Sequence, residues 1–379
     1  MDFSLSEEHN HFRQSVTAFV DREVAPVAAE LDQDEQFPEA LFKRCGELGY
    51  FGIRYPDAVG GMGGDMLSFN LMLEELARGS LSLAACVAMQ GLMGTDFIYR
   101  FGTAEQRRCL LGPALRGEKI GGIALTEPNF GSDLAGIQTT AVRDGDAWII
   151  NGQKMWVTSA SRADFFTIAA KTDPHAGFKG IDLFLVERRT PGLQVGKPIH
   201  KLGTRAAETA ELLLDHVRVP AENLLGAQGS GFRNLGAILA QIRVMTGALS
   251  LGVGRAALDA SKKYAQQRVQ FDRPIAQFQA IQHKLADMAT QLQAARWLVL
   301  AATWQIDKGQ PDNQSAAMAK LFASEMANRL ADEATRIFGS YGFAMEYAAQ
   351  RYFRDARFLL YGGGTSEILK NVIAKEMGL

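Results

Sequence analysis

The chain has 379 residues, room for two or three domains, and its 47% hydrophobic and 22% charged residues exclude disorder, a collagen-like fibre and a disulfide scaffold. Lys+Arg 40 against Asp+Glu 42 leaves a net charge of −2, without the basic excess of a generic nucleic-acid or anionic-membrane binder, so neither partner is expected. No uninterrupted apolar run reaches the roughly 18 residues of a membrane span, and the N-terminus does not read as a secretion signal. Three cysteines (Cys45, Cys86, Cys109) are odd in number and not in metal-ligand spacing. The expectation is a cytoplasmic protein without a metal.

Residues 1 to about 118 read helical. Ser4 and Glu7 have capping-box spacing, and Phe12, Val16, Phe19 and Val20 follow at helical intervals. Further helices are expected from Leu41 to Leu48, Leu67 to Arg78 and Ala104 to Leu115, with a Gly-rich loop from Pro56 to Gly64. From 119 to 228 the texture becomes period two. Asn151-Gly152 lies between two apolar runs and predicts a type I′ hairpin turn. Strands are expected over Phe165 to Ala170, Ile181 to Val186 and Ala210 to Val219, in a compact β-barrel or sandwich. From 229 to 379 long helices return, at about 231–268, 276–308, 313–341 and 363–377. The order helical, β, helical bundle predicts an α+β chain of three segments rather than βαβ alternation.

Four motifs carry chemistry. Leu125-Thr126-Glu127-Pro128-Asn129-Phe130-Gly131-Ser132-Asp133 makes a turn of exposed N–H and hydroxyl groups, able to bond a planar heterocycle or a phosphate; alone it equally describes an inter-domain turn. In Lys154-Met-Trp156-Val157-Thr158, Trp156 and Thr158 share one sheet face, an aromatic wall beside a hydroxyl; the plainer reading is a core tryptophan. The third runs from Tyr264 to Gln279, where Arg268 and Arg273 suit a pyrophosphate or are simply solvent-facing helix-end arginines. The fourth joins Arg336-Ile-Phe-Gly339-Ser340 to Gly362-Gly363-Gly364-Thr365-Ser366-Glu367. Its glycines permit close backbone approach, and its helix N-terminus favours an anion.

The combination Thr-Glu-Pro-x-x-Gly-Ser-Asp, Lys-Met-Trp-Val-Thr and Arg-x-Gln-Phe, in this order, resembles the acyl-CoA dehydrogenase family, from Phe3 to the C-terminus. The resemblance implies a middle β domain between an N-terminal helical domain and a C-terminal four-helix bundle. It also implies bound FAD, an acyl-CoA substrate, electron-transfer flavoprotein as acceptor, and a homotetramer or dimer in which a neighbouring subunit clamps the dinucleotide tail. By position, Leu125, Thr126, Gly131 and Ser132 would line the flavin, with Ser132 near the thioester or pantetheine. Trp156 and Thr158 would cover the ring from the other side. Arg268, Phe271, Gln279, Arg336, Gly339 and Ser340 would meet the tail, Thr365 and Glu367 would close the site, and Arg243 would face substrate. Arg336 departs from the family's usual Gln.

Desaturation at Cα–Cβ calls for a base for the α-proton. The family's usual Glu would stand at Gly363, and a subgroup's alternative at Ile242, just before Arg243; this chain has a carboxylate at neither. Three explanations stay open. The base comes from elsewhere, with Asp96 or the Cys86 thiol as candidates. Or the reaction is a non-oxidising, eliminating or decarboxylating one. Or the chain is an FAD-binding partner subunit of a heteromer. Ala84, Ala85 and Cys86 offer no acyl-pocket arginine, which disfavours a desulfinase. The histidines are scattered, and Glu208 and Asp215 read as solvated charges.

Overall fold

The computed structural model describes residues 4–379; residues 1–3, where the expected N-terminal domain begins, lie outside it. The N-terminal segment holds α1 (Glu7–Phe19), α2 (Ala28–Gln33), α3 (Glu39–Glu47), α4 (Met66–Gly79), α5 (Leu81–Ala88), α6 (Asp96–Phe101), α7 (Ala104–Gln106) and α8 (Gly112–Leu115). The expected Ser4–Glu7 capping box is replaced by Ser6, whose hydroxyl accepts from the His9 N–H. Ser6 Oγ also lies 2.6 Å from the His9 ring, and that ring pairs with Asp65.

The middle segment is a single curled seven-stranded sheet. Its strands are β1 (Gly121–Ala124), β2 (Thr140–Asp144), β3 (Ala147–Thr158), β4 (Phe165–Lys171), β5 (Ile181–Glu187), β6 (Leu193–Val195) and β7 (Thr209–Pro220). The hairpin expected at Asn151-Gly152 is not there. The turn falls at Gly145-Asp146, with Asp144 paired to Ala147 and Gly145 at φ 60°. β3 passes straight through Asn151-Gly152 as a bulge, because it is bonded to β2 on one side and to β7 on the other. Asn151 serves that bulge: its side-chain oxygen accepts from the His216 N–H at 2.8 Å. Local turn chemistry loses here to two long ladders.

The C-terminal segment packs α9 (Gly231–Gln267), a small hairpin of β8 (Val269–Gln270) and β9 (Arg273–Pro274), then α10 (Gln279–Asp307), α11 (Asn313–Phe338), α12 (Ala348–Ala356) and α13 (Ser366–Glu376). The periodicity missed α12, a short helix whose Arg351 and Asp355 are buried and whose Arg354 pairs with Asp32. Residues Leu81–Phe101 and α9 are long and apolar enough to cross a bilayer, and both are mostly buried within the fold. One hydrophobic core unites the N-terminal helices, the bundle and one sheet face; a second fills the inside of the curl.

Buried ion pairs tie the segments together. Glu75 of α4 accepts from Arg13 of α1 and Arg255 of α9, and Glu74 from Arg255 and Arg296 of α10. Burial alone would raise the Glu75 pKa, but Arg255 and then Arg13 outweigh it and hold the carboxyl at about 2, against 4.5 ordinarily. A carboxylate so depressed stabilises the fold fully above about pH 4.5 and loses that contribution as pH falls towards 2. Glu75→Gln is therefore expected to cost about 3 kcal/mol at neutral pH and to flatten the stability–pH curve across that acid window. Chemical denaturation at stepped pH measures both.

Candidate active site

Two segments lie side by side where β1 ends. The turn at Leu125–Ser132 is anchored to β3, because the Met155 N–H donates to the Thr126 carbonyl at 2.8 Å. Glu127, 6% exposed, accepts from the Gln138 N–H (2.6 Å), the Thr139 N–H (2.9 Å) and the Thr139 hydroxyl (2.6 Å). Lys154, fully buried, donates to Glu127 (2.8 Å) and to the Leu125 carbonyl (3.1 Å). Burial lowers the Lys154 pKa to about 8, with Glu127 pulling it back up. Burial likewise pushes Glu127 up, but its bonds to Lys154 and Thr139 hold it below its ordinary value.

Beside the turn, β3 bulges between Lys154 and Val157, and Trp156 takes a left-handed φ of 61°. Val157 points into the core, which leaves Trp156 (55% exposed) and the half-buried Thr158 on the other face. An uncovered indole in a costly backbone conformation, two residues from the Thr158 hydroxyl on a strand bonded to the turn that carries Thr126 and Ser132, fits a planar polar heterocycle. Gly131 and Ser132 are exposed, and Leu125 and Thr126 half-buried, on that turn.

The two positions where a carboxylate was sought prove to be one place. A Cβ on Gly363 would lie 3.5 Å from Ile242 Cγ2 and 2.9 Å from the Thr246 hydroxyl oxygen, and Gly363 itself has φ 73°. The glycine loop is held there from beneath by Lys320 of α11, fully buried, which donates to the Gly364 carbonyl at 2.7 Å. Burial lowers the Lys320 pKa to about 8. Arg243 is 6% exposed, its Nε has no hydrogen-bond partner, and its one contact is long, 3.4 Å to Asn313. Burial also lowers its pKa. A guanidinium so placed and so poorly satisfied suits an acceptor from outside the chain.

Neither alternative base survives. Asp96 is fully buried and clamped by Arg54 at 2.9 Å and by Arg100, so its oxygens serve two guanidiniums. Cys86 is buried, and burial pushes its thiol up to about 12. Glu208 also departs from expectation: it is half-buried, bonded to Ser161 and 3.6 Å from Arg162, whereas Asp215 is solvated as expected. Among the described residues no group of three His, Cys, Asp or Glu side chains is placed to hold a metal.

The residues expected at a dinucleotide tail gather at the far end of α9. Phe271 and Asp272 both have positive φ in the tight turn between β8 and β9, and Phe271 is 88% exposed at its tip. Arg268 lies over the Tyr341 ring at 5.5 Å, while Tyr264 stacks on Phe338 at 4.1 Å, which brings Gly339 and Ser340 to the same corner. Gln279, opening α10, is exposed; Arg336 is exposed and bonded to Asp332 at 2.7 Å. The Thr365 hydroxyl caps α13 by accepting from the Ile368 N–H, with exposed Glu367 in the first turn.

A curled sheet between two helical domains, with an exposed indole and hydroxyls beside a backbone turn, fits the class of oxidoreductases that use a planar cofactor. The chain belongs to the acyl-CoA dehydrogenase family, whose N-terminal, middle and C-terminal domain models match residues 6–118, 122–217 and 229–378. Its activity is that of an acyl-CoA dehydrogenase. It is 52% identical to benzylmalonyl-CoA dehydrogenase of Aromatoleum aromaticum over 378 residues, all of both chains. Butyryl-CoA dehydrogenase from Megasphaera elsdenii superposes with a TM-score of 0.97 at 37% identity, covering both chains fully. A chain from a structure of the electron transferring flavoprotein of Acidaminococcus fermentans does so with a TM-score of 0.97 at 38% identity, covering all of this chain and 99% of that one.

Proposed function

We propose that the protein uses FAD to oxidise the Cα–Cβ bond of a coenzyme A thioester that carries a carboxylate on Cα, releases that carboxylate as CO2, and passes the electrons to an electron-transfer flavoprotein. The observation that carries this reading is the locus shared by Ile242 and Gly363, which holds no carboxylate where a base would stand. Desaturation needs an electron pair on Cα and a hydride leaving Cβ. Breaking the Cα–CO2 bond leaves its electron pair on Cα, as proton abstraction would. Substrate and acceptor then become enoyl thioester, CO2 and the acceptor carrying one added hydride, with no proton taken by the protein.

Bound FAD would supply the hydride acceptor. Leu125, Thr126, Gly131 and Ser132 would hold its ring on one side, Trp156 and Thr158 on the other. Ile242 would keep the substrate carboxylate poorly solvated, which favours the dispersed charge of the transition state. Arg243, with its unpartnered Nε, would bind substrate. The name of the relative from Aromatoleum aromaticum supports the substrate class, because a benzylmalonyl thioester bears its second carboxyl on Cα.

The tail residues support a homo-oligomer. Leu125 lines a small pocket with Gly231 and Leu235 at the start of α9, whereas Arg268 follows its end, about 50 Å along the helix. One extended dinucleotide does not reach both, so Arg268, Phe271, Gln279, Arg336, Gly339 and Ser340 would serve a neighbouring copy in a dimer or tetramer. Three free cysteines suit a reducing compartment, and the cytoplasm is the proposed one.

The test is FAD content of the purified protein, then turnover coupled to an electron-transfer flavoprotein. A 2-carboxyacyl-CoA is expected to turn over at least about 100-fold faster than the same thioester without the carboxylate, the contribution a general base ordinarily makes. Equal rates would contradict the substrate class. A protein that retains FAD but oxidises neither would favour the partner-subunit role.

A further inference from the structure

We infer that the buried Glu127–Lys154 pair is a positioning pair for the flavin, fixing the turn at Leu125–Ser132 against the strand at Trp156–Thr158. The inference rests on the placement of FAD in that slot proposed above. Lys154 is the only side chain on its strand that bonds the turn at two points, the Glu127 carboxylate and the Leu125 carbonyl. The second of those residues begins the turn. Two places after Lys154, on the same strand, stands Trp156. Glu127 in turn fastens the far end of the loop through Gln138 and Thr139, so that one carboxylate closes the whole excursion from Leu125 to Thr139.

Stability alone does not explain such a pair. A buried ion pair is commonly neutral or worse than an uncharged replacement of similar volume, while loss of one partner leaves an uncompensated charge. Both charged groups are hydrogen-bonded, and the segments they fix are the two that an isoalloxazine would touch. A methionine at 154 would fill nearly the same volume but hold neither the Leu125 carbonyl nor Glu127.

The experiment compares wild type, Lys154→Met, Glu127→Gln and the double variant. FAD affinity of the apoprotein, the visible circular dichroism of bound flavin, and the apoprotein melting temperature are measured for each. Either single substitution is expected to weaken FAD binding roughly 100-fold and to change the flavin spectrum. The double variant, with no unpaired charge, is expected to recover most of the melting temperature but not the FAD affinity or the spectrum. Recovery of affinity together with stability, or folded single variants with unchanged affinity and spectrum, would overturn the inference. Should the single variants not fold, the double variant decides alone. A wild type that takes up no FAD overturns the slot itself, which the wild-type titration shows separately.

Discussion

Ile242→Glu is expected to create a dehydrogenase for ordinary acyl-CoA thioesters, raising their rate of desaturation by about 10²–10³ over the parent protein, in the range a positioned general base supplies. Position 242 is helical, 3% exposed and in contact with the spot a Gly363 side chain would occupy, so a carboxylate enters without backbone strain. Burial raises a glutamate pKa, which suits a base working near neutral pH and costs stability. Gly363→Glu aims at the same spot from a residue with φ 73°, where a side chain costs about 1–2 kcal/mol, and its Cβ would crowd the Thr246 hydroxyl at 2.9 Å. Its gain is therefore expected to be smaller and its melting temperature lower. Steady-state rates with a plain straight-chain thioester compare the two. No gain from either would mean that this locus does not face Cα.

Asp96→Asn is expected to cost roughly 3–5 kcal/mol of stability, because it strips charge from a buried carboxylate holding Arg54 and Arg100 and leaves two guanidiniums uncompensated. The rate per folded, FAD-loaded molecule is expected to stay within about twofold of wild type, since Asp96 has no oxygen free for substrate. Arg54 also reaches Gln241, next to Ile242, so a modest change in KM is the largest kinetic effect anticipated. Denaturant titration gives the first quantity and single-turnover reduction the second. A fall of 10²-fold or more in that rate, with the fold intact, would restore Asp96 as the base.

The three-segment architecture was legible because each segment has its own period, 3.6 or 2, and because α9, α10 and α11 run long without breakers. The Asn151-Gly152 turn was misjudged for a physical reason: a dipeptide preference of about 1 kcal/mol is overridden when both edges of the strand are paired. That Thr126–Ser132 forms a turn and that Trp156 and Thr158 share a face could be read from their motifs. Their strut could not, since Glu127 and Lys154 lie 27 positions apart in sequence and only the fold makes them partners. Likewise nothing in the pattern near Asp96 announces Arg54, 42 residues earlier, and so a neutralised structural acid passed for a candidate base. The empty position of the base was visible in the residues Ile242 and Gly363; that the two are one place required coordinates.

The most direct measurement is anaerobic stopped-flow reduction of the FAD-loaded protein by a matched pair, a 2-carboxyacyl-CoA and the acyl-CoA formed from it by loss of CO2, with released CO2 counted. Fast bleaching of the flavin and one CO2 per flavin reduced are expected with the first, and slow or no bleaching with the second. Equally fast bleaching by the second, or bleaching by the first without CO2, would show that the chain draws its Cα electron pair from a C–H bond after all.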